Sequence, residues 1–293
     1  MRMRTTMPNW GSGLAAGALL LAAWPPDASA QRLEKHFAVK GRPVVVIENV
    51  ANGRIEVKAW KNQEVVLTEI QPSNKVGIET EQAGDRIDVI ANVLDASAQP
   101  SEIEASFQLS VPEQTELRLK TQTGLIYVEQ VVGDMELRSV AGDVHLKEVS
   151  GYIVVRTTGG SLVCTQCSGK LDFQSISGNA QILQPALNNV TLRTTSGNIL
   201  FDGDFIRTGI YTMSSGKGNV EVRFSGNDSF DLLAQTTRGS VDNQAEPFLK
   251  PDSHGFKHLA SKFTKGLFGT VGGGLAKVDL SSFSGTIRIR KRD

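Results

Sequence analysis

A few residue groups in this chain could carry chemistry, and each asks for a particular support. Cys164 and Cys167 form a lone CxxC and are the only cysteines. Such a pair serves redox chemistry when a helix N-terminus lowers the thiol pKa, and zinc when two further ligands stand at the right spacing. Neither condition is met, because the surrounding residues read as strand and turn and no other ligand pair has that spacing. Asp202 and Asp204, beside Phe201 and Phe205, offer a carboxylate pair of the kind that cleaves glycosidic bonds. Two acids in a turn are far commoner as turn formers, so no enzyme is assigned to them. His254 and His258 stand four apart without a third ligand, or a glutamate placed for metalloprotease chemistry, so no metal is expected. Lys120, Arg138, Arg156 and Arg193 are different in kind, spaced 18, 18 and 37 with Gln174 in the vacant place. Cations in such a row would take an anionic polymer through several charge-assisted contacts.

The elements that position these groups follow from a nine-residue glycine beat: Gly124, Gly133, Gly142, Gly151, Gly160, Gly169 and Gly178. Two, four and seven residues after a glycine the side chain is nearly always apolar, as in Ile126, Val128, Val131, then Met135, Leu137, Val140, then Val144, Leu146, Val149. Each unit reads as a short strand with period-two alternation and a corner, and two units make a coil of about 18 residues that stacks on the next. The spacing predicts an all-β solenoid with an N-terminal β segment capping it. Eight or nine coils at about 4.8 Å would give a rod on the order of 40 Å long. Cys164 falls 18 after Leu146 and Cys167 18 after Val149, both core positions, so the pair reads as two small buried hydrophobes or one local disulfide across a corner. Calcium-binding rolls share the nine-residue period but need paired glycines and an aspartate column, which this chain lacks.

Beyond Gly178 the beat loosens but persists at Gly197–Phe201, Gly218–Val222, Gly239–Val241 and Gly285–Ile289, so the stack is expected to run to the C-terminus. Asp143, Asn179, Asn198 and Asn219 stand at its corners as turn formers. In register, Thr121, Ser139, Thr157, Ser175 and Thr194 run beside the cations, and both columns are expected on one face. Either the hydroxyls bond along the stack while the bases meet acids on adjacent strands, such as Glu136 or Asp172, or the bases form an open cationic rail. Residues 31–119 alternate at wider spacing and read as longer strands that cap the stack, or as a separate small β-domain; 120–293 hold the repeats. An insert at 243–274 interrupts them. Within it Phe256, Leu259, Phe263 and Leu267 share one helical face, with Lys257, Lys262 and Lys265 mostly elsewhere, so 256–268 reads as a basic amphipathic helix. Such a helix packs on its own protein or makes peripheral membrane or self contact.

Val50-Ala51-Asn52-Gly53-Arg54-Ile55-Glu56-Val57 with Trp60 and Glu64-Val65, the step Leu109-Ser110-Val111-Pro112, and the run of Ser/Thr-Gly-x-Ile/Val motifs resemble the bacterial exported putative adhesin family. That resemblance covers nearly the whole mature chain. It implies a right-handed β-helix or β-solenoid fold and an envelope or surface location, and it brings no catalytic residues with it.

Residues 1–30 read as a cleaved signal peptide, with a retained N-terminal anchor as the alternative: Arg2 and Arg4 precede an apolar run from Leu14 to Ala23, and Ala28-Ser29-Ala30 offers a small-residue cleavage site. Export places the protein in the periplasm, at the cell surface or outside the cell. A formal net charge of zero over 293 residues leaves no global field for nucleic acid or membrane. The sequence therefore points to a non-enzymatic surface-binding module without cofactors, its partner an anionic envelope glycan or surface polymer. A self-assembling envelope scaffold is the alternative, since open strand edges template strand addition; a polysaccharide-cleaving enzyme ranks last.

Overall fold

The computed structural model describes residues 31–71, 73–245, 249–251 and 265–292. The expected signal peptide lies outside them. The described chain is all β apart from one 3-10 turn at Pro100–Glu102, and its strands form a 12-stranded and a 13-stranded sheet. Alternation makes the strands. In Met135–Ser139 the first, third and fifth side chains are buried while Glu136 and Arg138 face outward.

Through the middle of the molecule the chain passes from sheet to sheet. Met135–Ser139 lies in the larger sheet, Val144–Lys147 in the smaller, and Ser150–Thr157 in the larger again. Each strand pairs in parallel with its counterpart 18 residues on, Met135 opposite Ile153 and Val144 opposite Leu162. Later steps lengthen to 19 and 21 residues, which is the loosening of the beat. Inward side chains of both sheets, among them Leu137, Leu146, Val155, Phe173, Ile182 and Phe201, form one buried cluster. Each is worth about 1.5–3 kcal/mol on burial.

The corners explain why the beat is written in glycine. At one corner Ser or Thr stands three residues before the glycine. The Ser215 hydroxyl accepts from the Gly218 amide at 2.8 Å and donates to the Gly197 carbonyl at 2.8 Å. Thr194 does the same with Gly197 and Gly178, and Ser282 with Gly285 and Gly218. A Cβ at Gly142, Gly160, Gly178 or Gly197 would fall deep inside contact distance of the carbonyl oxygen of the glycine stacked beneath it. Close approach of backbones, and not a positive φ, requires glycine at these places. Beside this column the Asn and Asp corners form a ladder. Asn198 donates its amide to Asn179 Oδ1 at 2.8 Å, Asn219 to Asn198 at 2.9 Å, and Ser161 to Asp143 at 2.7 Å.

These corners correct the expected hydroxyl column. Thr121, Ser139, Thr157 and Thr194 are buried and Ser175 is half-buried, on the opposite side of the sheet from the cations. Adjacent residues of a strand point to opposite faces, so a cation and the hydroxyl next to it cannot share one. Val140, expected in the core, is 54% exposed because it follows the inward-turned Ser139 at the corner.

The two ends of the stack depart from chain order. In the larger sheet Ala276–Ser282 lies between Ile210–Ser215 and Phe230–Thr236, and in the smaller Thr286–Lys291 lies between Val220–Phe224 and Ser240–Gln244. The two strands at 276–291 thus fill a slot, one in each sheet, between strands that precede them in sequence. At the other end Val44–Asn49 and Ile55–Trp60 pair directly with Glu116–Thr121 and Ile126–Glu129, while Arg86–Val93 and Ser106–Pro112 lie outside them. Antiparallel strands extend the sheets further: Val76–Ala83, Glu64–Gln71 and Gln31–Ala38 at this end, and Lys265–Val271 at the other. The last of these corrects the helix expected over 256–268. Residues 265–268 are strand, held by the open backbone edge of Phe230–Thr236, and 256–264 lie outside the described residues.

Candidate functional site

Parallel register brings the cations onto consecutive strands of the larger sheet. Lys120 stands opposite Arg138, Arg138 opposite Arg156, Arg156 opposite Gln174, and Gln174 opposite Arg193. Lys120, Arg138 and Arg193 are exposed and Arg156 is half-buried. Acids attend three of them. Lys120 Nζ lies 3.3 Å from Glu48 Oε2, Arg138 Nε donates to Glu136 Oε1 at 2.8 Å, and Arg156 grips both oxygens of Asp172 at 3.2 and 3.0 Å. Arg193 has no ion pair among the described residues. The exposed pairs of Lys120 and Arg138 contribute about 0–1 kcal/mol each and leave those two cations available to a stronger competitor, whereas Arg156 is held more firmly by its two-pronged grip on Asp172.

The same face holds two cations that sequence spacing did not single out. Arg118, exposed, sits two residues before Lys120 and so projects from the same side of its strand. Arg86 arrives from a strand that the swapped order places beyond Val44–Asn49 and is paired with Asp88 at 2.7 Å. Arg86, Arg118, Lys120 and Arg138 surround a depression of about 310 Å³ whose only acids are Glu48 and Glu136. Alternation alone would have flagged Arg118; nothing in the sequence brings Arg86 to it.

The other candidate groups are engaged elsewhere. Cys164 and Cys167 are joined in a disulfide and fully buried. Asp202 pairs with Arg223 at 3.5 Å and Arg292 at 3.7 Å, and Asp204 also pairs with Arg292. Phe201 and Phe205 stack inward at 5.0 Å, with Tyr211 edge-on to both. The Tyr211 hydroxyl donates to the Leu187 carbonyl at 2.6 Å and accepts from the Ile206 amide at 2.8 Å, and burial pushes its pKa up to about 12. Nearby, Asp228 accepts from the Phe205 and Ser225 amides at 3.2 and 3.0 Å. Burial holds its carboxyl above the ordinary range despite those bonds. Among the described residues no three His, Cys, Asp or Glu side chains gather as a metal site, and no helix is long and apolar enough to cross a membrane.

Two large parallel sheets, glycine-and-hydroxyl corners and an exposed charged face define a stacked-repeat β protein. The Toastrack DUF4097 family matches residues 37–290, and the chain belongs to that family. Among solved structures it is similar to a putative adhesin from Bacteroides fragilis, with 11% identity over 89% of this chain and 98% of that one at a TM-score of 0.43. A putative cell adhesion protein from Clostridium sporogenes matches with 9% identity over 90% and 100%, at a TM-score of 0.30. A putative lipid binding protein from Parabacteroides distasonis matches with 9% identity over 89% and 97%, at 0.32. No curated protein matches the chain.

Proposed function

We propose that the protein is an exported, non-enzymatic, adhesin-like module of the cell envelope that holds an anionic surface polymer against the outer face of its larger sheet. The scaffold is read as a right-handed solenoid of about 18 residues per coil, a reading supported by the 18-residue register step of the middle strands, with 31–119 capping one end. The observation that carries the reading is the alignment of Lys120, Arg138 and Arg156 on adjacent strands, continued by Arg193 and widened by Arg86 and Arg118. Cations about 4.8 Å apart along a rigid stack match a linear polyanion better than a small ion. The weak, exposed acid partners of Lys120 and Arg138 and the lack of one at Arg193 among the described residues favour exchange for a multivalent ligand.

Charge reversal tests this. The mature chain carrying Lys120→Glu, Arg138→Glu and Arg193→Glu should lose retention on immobilised polygalacturonate, and wild-type retention should fall steeply with salt. Equal retention of the two proteins would overturn the reading.

A further inference from the structure

Beside the basic column the larger sheet opens into a groove of about 550 Å³. Its cause is local. Ser168–Ser175 and Ala186–Thr194 pair in register up to Gly169 opposite Leu187, then shift so that Lys170 stands opposite Asn189. The extra residue leaves Asn188 and Asn189 both exposed, which breaks the strand's alternation. Gly151 and Gly169 place no side chains over the floor, and Tyr152 rises at one side, 48% exposed. Lys170, Asp172 and Thr191 complete the walls.

The chemistry of this lining is specific. The side chains of Asn188, Asn189 and Thr191 have no hydrogen-bond partner among the described residues, so two amides and a hydroxyl stand unengaged around an exposed aromatic ring. Amides and hydroxyls both donate and accept, which suits the paired hydroxyls of a sugar, while an aromatic face takes the C–H face of a pyranose ring. A purely apolar ligand would leave the amides unsatisfied. A phosphate would find one lysine beside a carboxylate. Asp172 is itself held by Arg156, a member of the basic column, so groove and column share a strand and a salt bridge.

We infer that this groove is a saccharide subsite: Tyr152 stacks one sugar ring while Asn188, Asn189 and Thr191 bond its hydroxyls, and charged groups on neighbouring rings reach Arg156 and Arg193. The inference rests on the proposed glycan-binding role and supplies its uncharged half. The volume lies within the usual 300–1,000 Å³ of ligand sites.

An oligosaccharide array of neutral and uronate-containing chains, read with the mature protein, separates the two ideas. Tyr152→Ala and the double variant Asn188→Ala/Asn189→Ala should each weaken binding to both kinds of chain roughly tenfold, with the salt dependence unchanged. Tyr152→Phe should retain most of the binding. Arg138→Glu/Arg193→Glu should weaken only the uronate-containing chains. These positions are exposed, so circular dichroism should report an unaltered fold. If Tyr152→Ala binds as wild type while the arginine variant loses binding, the groove is not the subsite and the basic face survives. If neutral chains bind through Tyr152 without salt dependence and the arginine variant matches wild type, the groove stands and the basic face falls. Binding of neither kind of chain overturns both.

Discussion

The middle of the stack and its ends are built on different principles. In the middle every strand meets its counterpart one coil away, 18 to 21 residues along the chain, and the same hydroxyl, glycine and amide contacts repeat. At the ends the order is broken, the last coil sits between two earlier ones, and antiparallel strands are added outside. Repetition alone would leave an open edge at each end of both sheets. The ends replace it with contacts such as Ser282 to Gly218, 64 residues apart, that tie remote segments together.

Breaking the slot at the C-terminal end should have the largest effect. Removing residues 276–293 takes away the partner that joins Ile210–Ser215 to Phe230–Thr236, so the truncated chain is expected to lose its cooperative melt and become sensitive to protease. A truncated protein with the wild-type melting curve would show that the inserted coil is dispensable.

A second contrast sets two glycines against each other. Gly178→Ala in the middle drives a methyl into the Gly160 carbonyl, where stacked backbone cannot yield, and should cost about 3 kcal/mol or more. Gly266→Ala in the added outer strand meets its neighbours at 3.4 Å or beyond and should change stability by less than about 1 kcal/mol. Denaturant unfolding of both variants measures the difference, and equal losses would erase the distinction between core stack and outer strand.

The smallest effect concerns pH at the C-terminal end. Burial raises the Asp228 carboxyl, so the folded state holds its proton where the unfolded chain has lost it. Stability should therefore fall as pH rises from the ordinary carboxylate range through the raised value, and level off above it. Asp228→Asn should flatten that slope, read by thermal melts across mildly acidic pH; an unchanged slope would assign the effect to other groups.

Much of the middle was legible in the sequence because its period is short and its parity strict. Val144, Leu146 and Cys164 fall inside as the beat requires, and Arg156 meets Asp172 of the adjacent strand as expected, while Arg138 takes Glu136 from its own strand instead. Parity also explains the error over Thr121, Ser139 and Thr157, since one step along a strand reverses the face. The swapped order was not legible. Ser215-x-x-Gly218, Thr236-x-x-Gly239 and Ser282-x-x-Gly285 carry one motif, so any of these coils fits against any other. The groove left only a faint trace, an Asn-Asn pair where alternation fails and the step to the next glycine grows from 18 to 19.

The inserted coil also sets a timetable. Its slot stays empty during synthesis until residue 291 has been made, because the coils on both sides precede it in the chain. Until then the slot-facing edges of Ile210–Ser215 and Val220–Phe224 lack their native partner and are open to capture by the equivalent strands at 230–244 or by another chain. Native pairing at that end therefore waits for residue 291, and between the making of residues 244 and 291 the strands on both sides of the slot are present without it.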